Sequence, residues 1–217
     1  MGQNSNMNEF PGDATLPELS FGPENIYETN PDLWKNRCYL PHFDAGEIVQ
    51  FISMRLYDAV PRHLIDFWKE QLQWPEGAVD PETVIKLTRL IDKYADAGYG
   101  HCFFRQPEIS QLVESSLLFN DNRAYRLLGW TVMPNHIHFM IILLQNSSLP
   151  KTIRALKSYI AHQANKILNR TGEFWQREYY DRYIRSWSHF IYARNYILNN
   201  PQKIGYTKKY TQVIALD

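Results

Sequence analysis

Cysteine is nearly absent: Cys38 and Cys102 are the only two in 217 residues. They are too few and too isolated for a disulfide framework or a thiolate metal site. Long apolar runs are missing as well. The longest, residues 139–144, falls far short of the ~20 residues that span a bilayer, so no membrane partner is expected. No early segment joins a basic end to an apolar stretch and a small-residue cleavage site, which points to a cytoplasmic protein. There is no internal repeat and no low-complexity tract. Net charge is missing too, with 23 Lys and Arg against 23 Asp and Glu.

That neutrality hides an asymmetry. Residues 1–150 hold 11 basic against 19 acidic side chains, and residues 151–217 hold 12 against 4, a balance of −8 followed by +8. A basic final third suits an anionic partner, because each neutralised phosphate releases counterions. A solvated basic face has the same composition and is the reading that charge alone favours.

Residues 1–40 are rich in Asn, Pro, Gly and acids with no sustained period, and read as a loose arm. A single domain is expected over 41–210. Residues 47–57 form a strand pattern. Two helix patterns follow at 62–73 and 81–97, the second capped by Asp80 with Pro81 as its first residue. Residues 107–119 read as a helix ending at Asn120-Asp121-Asn122. Strands at 125–133 and 136–144 are joined by the tight turn Pro134-Asn135. A helix over 150–168 comes next, then an aromatic, β-leaning stretch at 174–184. Ser186 caps a last helix that reaches Asn200 and stops at Pro201. Setting aside a helical insertion at about 60–100 leaves β-α-β-β-α-β-α. That order is an α+β, split βαβ (ferredoxin-like) sandwich, an antiparallel sheet backed by helices.

Two constellations carry chemistry. On a strand, His136 and His138 point to one face while Ile137 faces the other. Two imidazoles on one rigid strand are a natural pair of ligands for a divalent cation, although short His-x-His pairs also arise by chance. The strand is apolar on both faces beyond them, so both rings need partners where it is buried. On the last helix, Trp187, Phe190, Ile191, Ile197 and Leu198 fall within about 120° of one another as a core stripe. His189, Tyr192, Tyr196 and Asn200 lie on the opposite side, between about 140° and 220°. Tyr196 and Asn200, one turn apart, would meet. The amide could offer its oxygen to a metal while Tyr196 presents its hydroxyl beside it. Helix termination at Asn200-Pro201 and a solvent-facing Tyr196 fit the same pattern.

Met133-Pro134-Asn135-His136-Ile137-His138-Phe139 resembles the HUH signature of tyrosine transposases. Trp175-Gln176-Arg177-Glu178-Tyr179-Tyr180-Asp181 with Ile184-Arg185, then Tyr196-Ile197 and Asn199-Asn200-Pro201, resembles the REP-associated tyrosine transposases in particular. The likeness covers about residues 98–206, and the order and spacing of the motifs make it specific. It implies His136 and His138 as metal ligands, Tyr196 as the nucleophile that attaches to the 5′-phosphate side, and Asn200 as the third ligand. The family's fold is the split βαβ sandwich. Residues 60–100 exceed the minimal family core and carry no assigned role.

The activity so implied is a metal-dependent, single-stranded DNA endonuclease and strand transferase, a transposase working through a covalent phosphotyrosine on palindromic hairpin DNA. The expected partner is single-stranded or hairpin DNA, bound by a monomer or homodimer. Mg²⁺ or Mn²⁺ suits an oxygen-tolerant site with labile waters, whereas two His and an Asn make a poor structural zinc set. A domesticated relative that binds hairpins without cutting is the alternative, but it would have no need of all four residues.

A DNA surface is expected from Lys151, Arg154, Lys157, Lys166 and Arg170 on or after one helix, and from Arg177, Arg182, Arg185 and Arg194 after them. Phe174, Trp175, Tyr179, Tyr180 and Tyr183 are candidate stacking platforms, with Trp175 better read as core. Asp181 and Arg185 could pair at the strand-to-helix junction. Tyr159, Tyr179, Tyr180, Tyr183 and Tyr192 compete with Tyr196 for the nucleophile, but only Tyr196 combines the polar helix face, the Asn200 neighbour and the family pattern.

Overall fold

A strand apolar on both faces belongs in the middle of a sheet, and residues 136–143 lie there. The computed structural model describes residues 19–22, 34–36, 40–44, 46–75, 80–207 and 209–214. In chain order its strands are β1 (Trp34–Asn36), β2 (Pro41–Phe43), β3 (Val49–Arg55), β4 (Tyr125–Val132), β5 (His136–Leu143), β6 (Tyr180–Tyr183) and β7 (Thr211–Val213). Its helices are α1 (Arg62–Gln71), α2 (Pro81–Asp96), α3 (Pro107–Asn120), α4 (Leu149–Ile167) and α5 (Trp187–Lys203), with a 3-10 turn at Phe103–Arg105.

Five strands form one sheet in the order β6-β3-β5-β4-β7, each neighbouring pair antiparallel. Without β7, the four strands counted along the chain run 4-1-3-2, the split βαβ order. The expected α+β fold is therefore the observed one. Alternation along β5 divides the core. Ile137, Phe139 and Ile141 meet Val113 and Leu117 of α3 and Ile153, Leu156 and Ile160 of α4. Met140 and Ile142 meet Phe190, Ala193 and Ile197 of α5 on the other face.

The stretch at 60–100 is a helical pair, with α2 started by the Asp80 carboxylate accepting from Thr83 N at 3.0 Å and by Pro81 in the first turn. Val60, Ile65, Leu87, Ile91 and Ala95 make a small core of its own. The far end of α2 is tied to the sheet by a different kind of contact: Arg55 of β3, almost fully buried, donates to Asp92 at 2.5 Å.

Several details depart from the sequence reading. Pro201 does not end α5. The helix runs to Lys203, and Gly205 at φ +63° closes it. Gly205 N–H donates to Gln202 O and Tyr206 N–H to Pro201 O, the reciprocal pair of a left-handed helix cap. Proline so near the end costs little, because only one amide bond is lost and the last turn need not propagate. Trp187 is not core: it is 49% exposed and stacks on Phe190 at 5.4 Å, and Ala193 fills the stripe instead. Strand β7, an edge strand on β4, carries only three residues and no sustained alternation that would mark it beforehand. In the β-leaning stretch 174–184 only Tyr180–Tyr183 joins the ladder, and Trp175 makes an isolated bridge with Leu56. The loose arm expected at 1–40 falls mostly outside the described residues. Its described part includes β1, paired with β2, and Ser20 O, which accepts from Val49 N at 3.0 Å.

Asp181 is engaged by His42 and by Phe43 N–H, which donates to it at 2.9 Å. The partner on its first oxygen is thus an imidazole brought from β2, a residue remote in sequence, in place of the expected Arg185. Burial by itself would lower the His42 pKa. Hydrogen bonds and charge from Asp181 and Glu178 outweigh that and push it up to about 9. A group raised in the folded state stabilises fully below its unfolded value near 6.5 and loses that contribution as pH rises through about 9. Urea denaturation between pH 6 and pH 9.5 should therefore show a loss of at most about 3 kcal/mol, and His42→Gln should flatten the slope. An equal slope in both proteins would remove the pair as its source.

Candidate functional site

The antiparallel register between β3 and β5 sets Arg55 opposite His136 and Ser53 opposite His138. All four belong to the sheet face that α5 covers, and all are buried. Burial is the first determinant of their chemistry. It pushes both imidazoles well below their usual pKa, helped at His136 by His138 and Arg55 and at His138 by Arg55 and Lys203. Both rings are therefore neutral, the form that ligates metals.

Each ring is oriented through Nδ1. His138 Nδ1 is 2.7 Å from the Ser53 hydroxyl, and His136 Nδ1 is 2.7 Å from Asn135 Oδ1. Asn135 is itself fixed, because its Nδ2 donates to Tyr99 O at 2.9 Å. Its oxygen must then accept from His136 Nδ1–H, which leaves the Nε2 lone pair facing outward. Hydrogen bonds of this kind set tautomer and ring angle at metal sites. Asn135, which the sequence offered only as a turn residue, is thus part of the site.

Around the two histidines, His136 Nε2, His138 Nε2, Arg55 Nε, Asp96 Oδ1 and both polar atoms of the fully buried Asn200 amide lack hydrogen-bond partners among the described residues. Buried polar groups are rarely left so. The two imidazole rings sit edge to face with centroids 4.7 Å apart, and Tyr196 lies edge-on to His138 at 5.1 Å. Phe51 packs against both His138 and Tyr196, at 5.4 and 5.9 Å. Asn200 follows Tyr196 by one helical turn on α5. Among the described residues no group of three or more His, Cys, Asp or Glu side chains is placed to hold a metal ion by itself. Two neutral imidazoles plus a carboxamide oxygen would fit a divalent cation of the Mn²⁺ or Mg²⁺ kind, with the remaining positions open to water and phosphate.

Tyr196 is largely buried. Burial, then the charges of Asp92 and Asp96, push its pKa well above the usual phenol value. The Arg55 charge opposes that rise, and Lys203 Nζ lies 4.3 Å from the Tyr196 ring centroid. Asp96 Oδ1 is 3.5 Å from His136 Nε2, and burial, then Asp92, push its carboxyl up to about 6. A cleft of about 170 Å³ opens beside Tyr196, lined among others by Phe51, Arg89, Tyr180, Arg182 and Tyr192.

The expected DNA surface is divided by the sheet. Lys151 and Arg154 are exposed on α4, which packs on the face away from His136, His138 and α5. Lys157 is committed to structure, its ammonium donating to Gln176 O at 2.6 Å and Arg177 O at 2.9 Å, and burial pushes its pKa down to about 8. Arg170 is likewise held by Asn165 and Glu173 O, and Arg194 by Ile214 O. Arg177 is exposed, and Arg182 and Arg185 are half-buried. Arg182 lines the cleft, and both arginines border a shallower one with Ser186 and His189. Phe174, Trp175, Tyr179, Tyr180 and Tyr183 are all buried, so these five are not open stacking platforms. Tyr192, by contrast, is 69% exposed on α5 at the cleft. Arg55, Ser53, Asp92 and Asp96 were not singled out from sequence. Polar residues at alternate positions of β3 and at i, i+4 on α2 were the available signal.

Residues 99–200 match the family model of the IS200-like transposases. No curated protein matches the chain. Among solved structures the chain is similar to the REP-associated tyrosine transposase bound to a REP hairpin, at 16% identity and a TM-score of 0.45, covering 81% of this chain and 76% of that one. It is also similar to a candidate transposase from Deinococcus radiodurans R1 solved at 1.90 Å, at 15% identity and a TM-score of 0.35, covering 76% of this chain and 96% of that one.

If Asn135 holds the His136 tautomer, Asn135→Ala should weaken Mn²⁺ binding by roughly 10- to 100-fold with the fold intact by circular dichroism. Calorimetric titration with Mn²⁺ reads this directly. Unchanged affinity would reduce Asn135 to a turn residue.

Proposed function

We propose that the protein, whose residues 99–200 match the IS200-like transposase family model, cuts and rejoins single-stranded DNA through a phosphotyrosine on Tyr196. The observation that carries this reading is the buried, neutral His136–His138 pair with free Nε2 atoms, set edge-on to Tyr196. A structural histidine pair would use those nitrogens. A hairpin-binding protein without catalysis would need neither them nor a tyrosine beside them.

A divalent cation held by His136, His138 and Asn200 would polarise a non-bridging oxygen of the scissile phosphate. The chain supplies the rest. Tyr196 Oη forms a bond to phosphorus, its proton passes to water, and the P–O3′ bond breaks, the leaving oxygen taking up a proton as a 3′-OH. The 5′-phosphate then remains on Tyr196. Attack by a 3′-OH on that ester reverses every step and restores the phenol, so the bond energy is kept and no nucleotide cofactor is needed. At rest the phenol is protonated, and activation must overcome burial and the Asp92 and Asp96 charges. Arg55 acts in that direction, and the cation would add to it. Arg89 and Arg182 flank the cleft that leads to Tyr196, with Tyr192 available to stack a base.

Tyr196→Phe should fold and bind hairpin oligonucleotides normally yet form no covalent adduct with labelled single-stranded hairpin DNA and Mn²⁺ on a denaturing gel. Peptide mapping of a wild-type adduct to Tyr192 or any other tyrosine would overturn the assignment. Hairpin binding without any adduct in the wild type would favour the non-catalytic alternative. His136→Ala and His138→Ala should each abolish cleavage and weaken Mn²⁺ binding while remaining folded, and wild-type rates in either would remove the metal assignment.

Affinity should favour single-stranded or hairpin DNA over blunt duplex and fall as salt rises. Filter binding at 50 and 200 mM NaCl tests both, and Arg182→Ala should lower it more than Arg154→Ala does. Equal losses from the two variants would place the strand elsewhere.

A further inference from the structure

The helical pair at 60–100 lies outside the segment that matches the transposase family, yet its second helix ends on the metal-ligand candidates. Asp92 and Asp96 are one turn apart on α2, and they face Arg55 and His136, which are themselves opposite one another across β3 and β5. The first pair is closed: Arg55 and Asp92 are 2.5 Å apart. The second is not. Asp96 Oδ1 and His136 Nε2 stand 3.5 Å apart, beyond a normal hydrogen bond, and each lacks a hydrogen-bond partner among the described residues. His136 is fully buried. A cation beside the histidines would give that unpartnered carboxylate oxygen a neighbour of opposite charge.

Charge makes the same demand. Two neutral imidazoles and an amide bring no negative charge to a divalent cation. Arg55 already places a positive guanidinium beside both rings, and Asp92 is spent on neutralising it. A buried cation is costly unless compensated. Asp96 is the carboxylate left over. We propose that Asp96 is the anionic partner of the cation held by His136, His138 and Asn200, and that the α1–α2 pair is the element which delivers it. This rests on the metal site proposed above and goes beyond it by making the extra helices part of that site.

The test is Mn²⁺ affinity by calorimetric titration on the full chain, with the metal-induced rise in melting temperature as a second readout. Asp96→Asn keeps shape and removes charge, and should weaken Mn²⁺ binding at least about ten-fold. Asp96→Glu, which keeps the charge, should lose less. Glu82→Gln removes a negative charge from the exposed start of the same helix and should leave affinity unchanged. Wild-type affinity in Asp96→Asn, alongside loss in His136→Ala, would overturn the role of Asp96 and leave the His–His–Asn site standing. A loss in Glu82→Gln as large as in Asp96→Asn would reduce the effect to long-range charge and overturn it too. No Mn²⁺ binding by the wild type would overturn both readings together.

Discussion

The pairing of β3 with β5 is the constraint on which everything else depends. Its register sets Arg55 beside His136 and Ser53 beside His138 on one face, while Ile52, Met54, Ile137 and Phe139 build the core on the other. A slip of one residue would move both imidazoles into the apolar layer under α3 and α4 and turn the isoleucines toward α5. Such a slip would bury unpaired polar groups and expose apolar area at once, so the hydrophobic pattern that stabilises the sheet also fixes the site.

Burial then does chemical work. It keeps both histidines neutral and raises the cost of ionising Tyr196. Under the proposed function, positive charge entering the site would offset that cost. The same low-dielectric surroundings make the Arg55–Asp92 pair consequential. Breaking a buried pair by removing one partner typically costs about 3–5 kcal/mol, because the survivor is left charged and dry. That pair fastens α2 to the central strands, one helical turn from Asp96.

The surface chemistry corrects a tempting inference from composition. The basic, aromatic last third offered many candidates for a nucleic-acid surface. In the fold, Lys157, Arg170 and Arg194 are taken by backbone carbonyls or by Asn165, and the aromatic cluster from Phe174 to Tyr183 is buried between sheet and loops. Tyr179 stacks on His42 and Tyr183 tilts against Phe43, residues more than a hundred positions away. The acidic first part of the chain, conversely, supplies Arg89 to the cleft and Asp92 and Asp96 to the site.

The sequence by itself determined helices α1 to α5 and strands β3 to β6 in their order, because period and capping are local: the apolar run of 136–143, the Asp80-Pro81 start of α2 and the Ser186 cap of α5 are all legible in short windows. It also determined that His136 and His138 share a face and that Tyr196 sits one turn before Asn200, since strand and helix geometry fix both. Tertiary structure alone decided which distant groups meet them. Ser53 and Arg55 reach the histidines through strand register, Asp92 and Asp96 through helix docking, and His42 reaches Asp181 across the sheet edge. None of those pairings has a local signature, because each depends on how separately encoded elements pack.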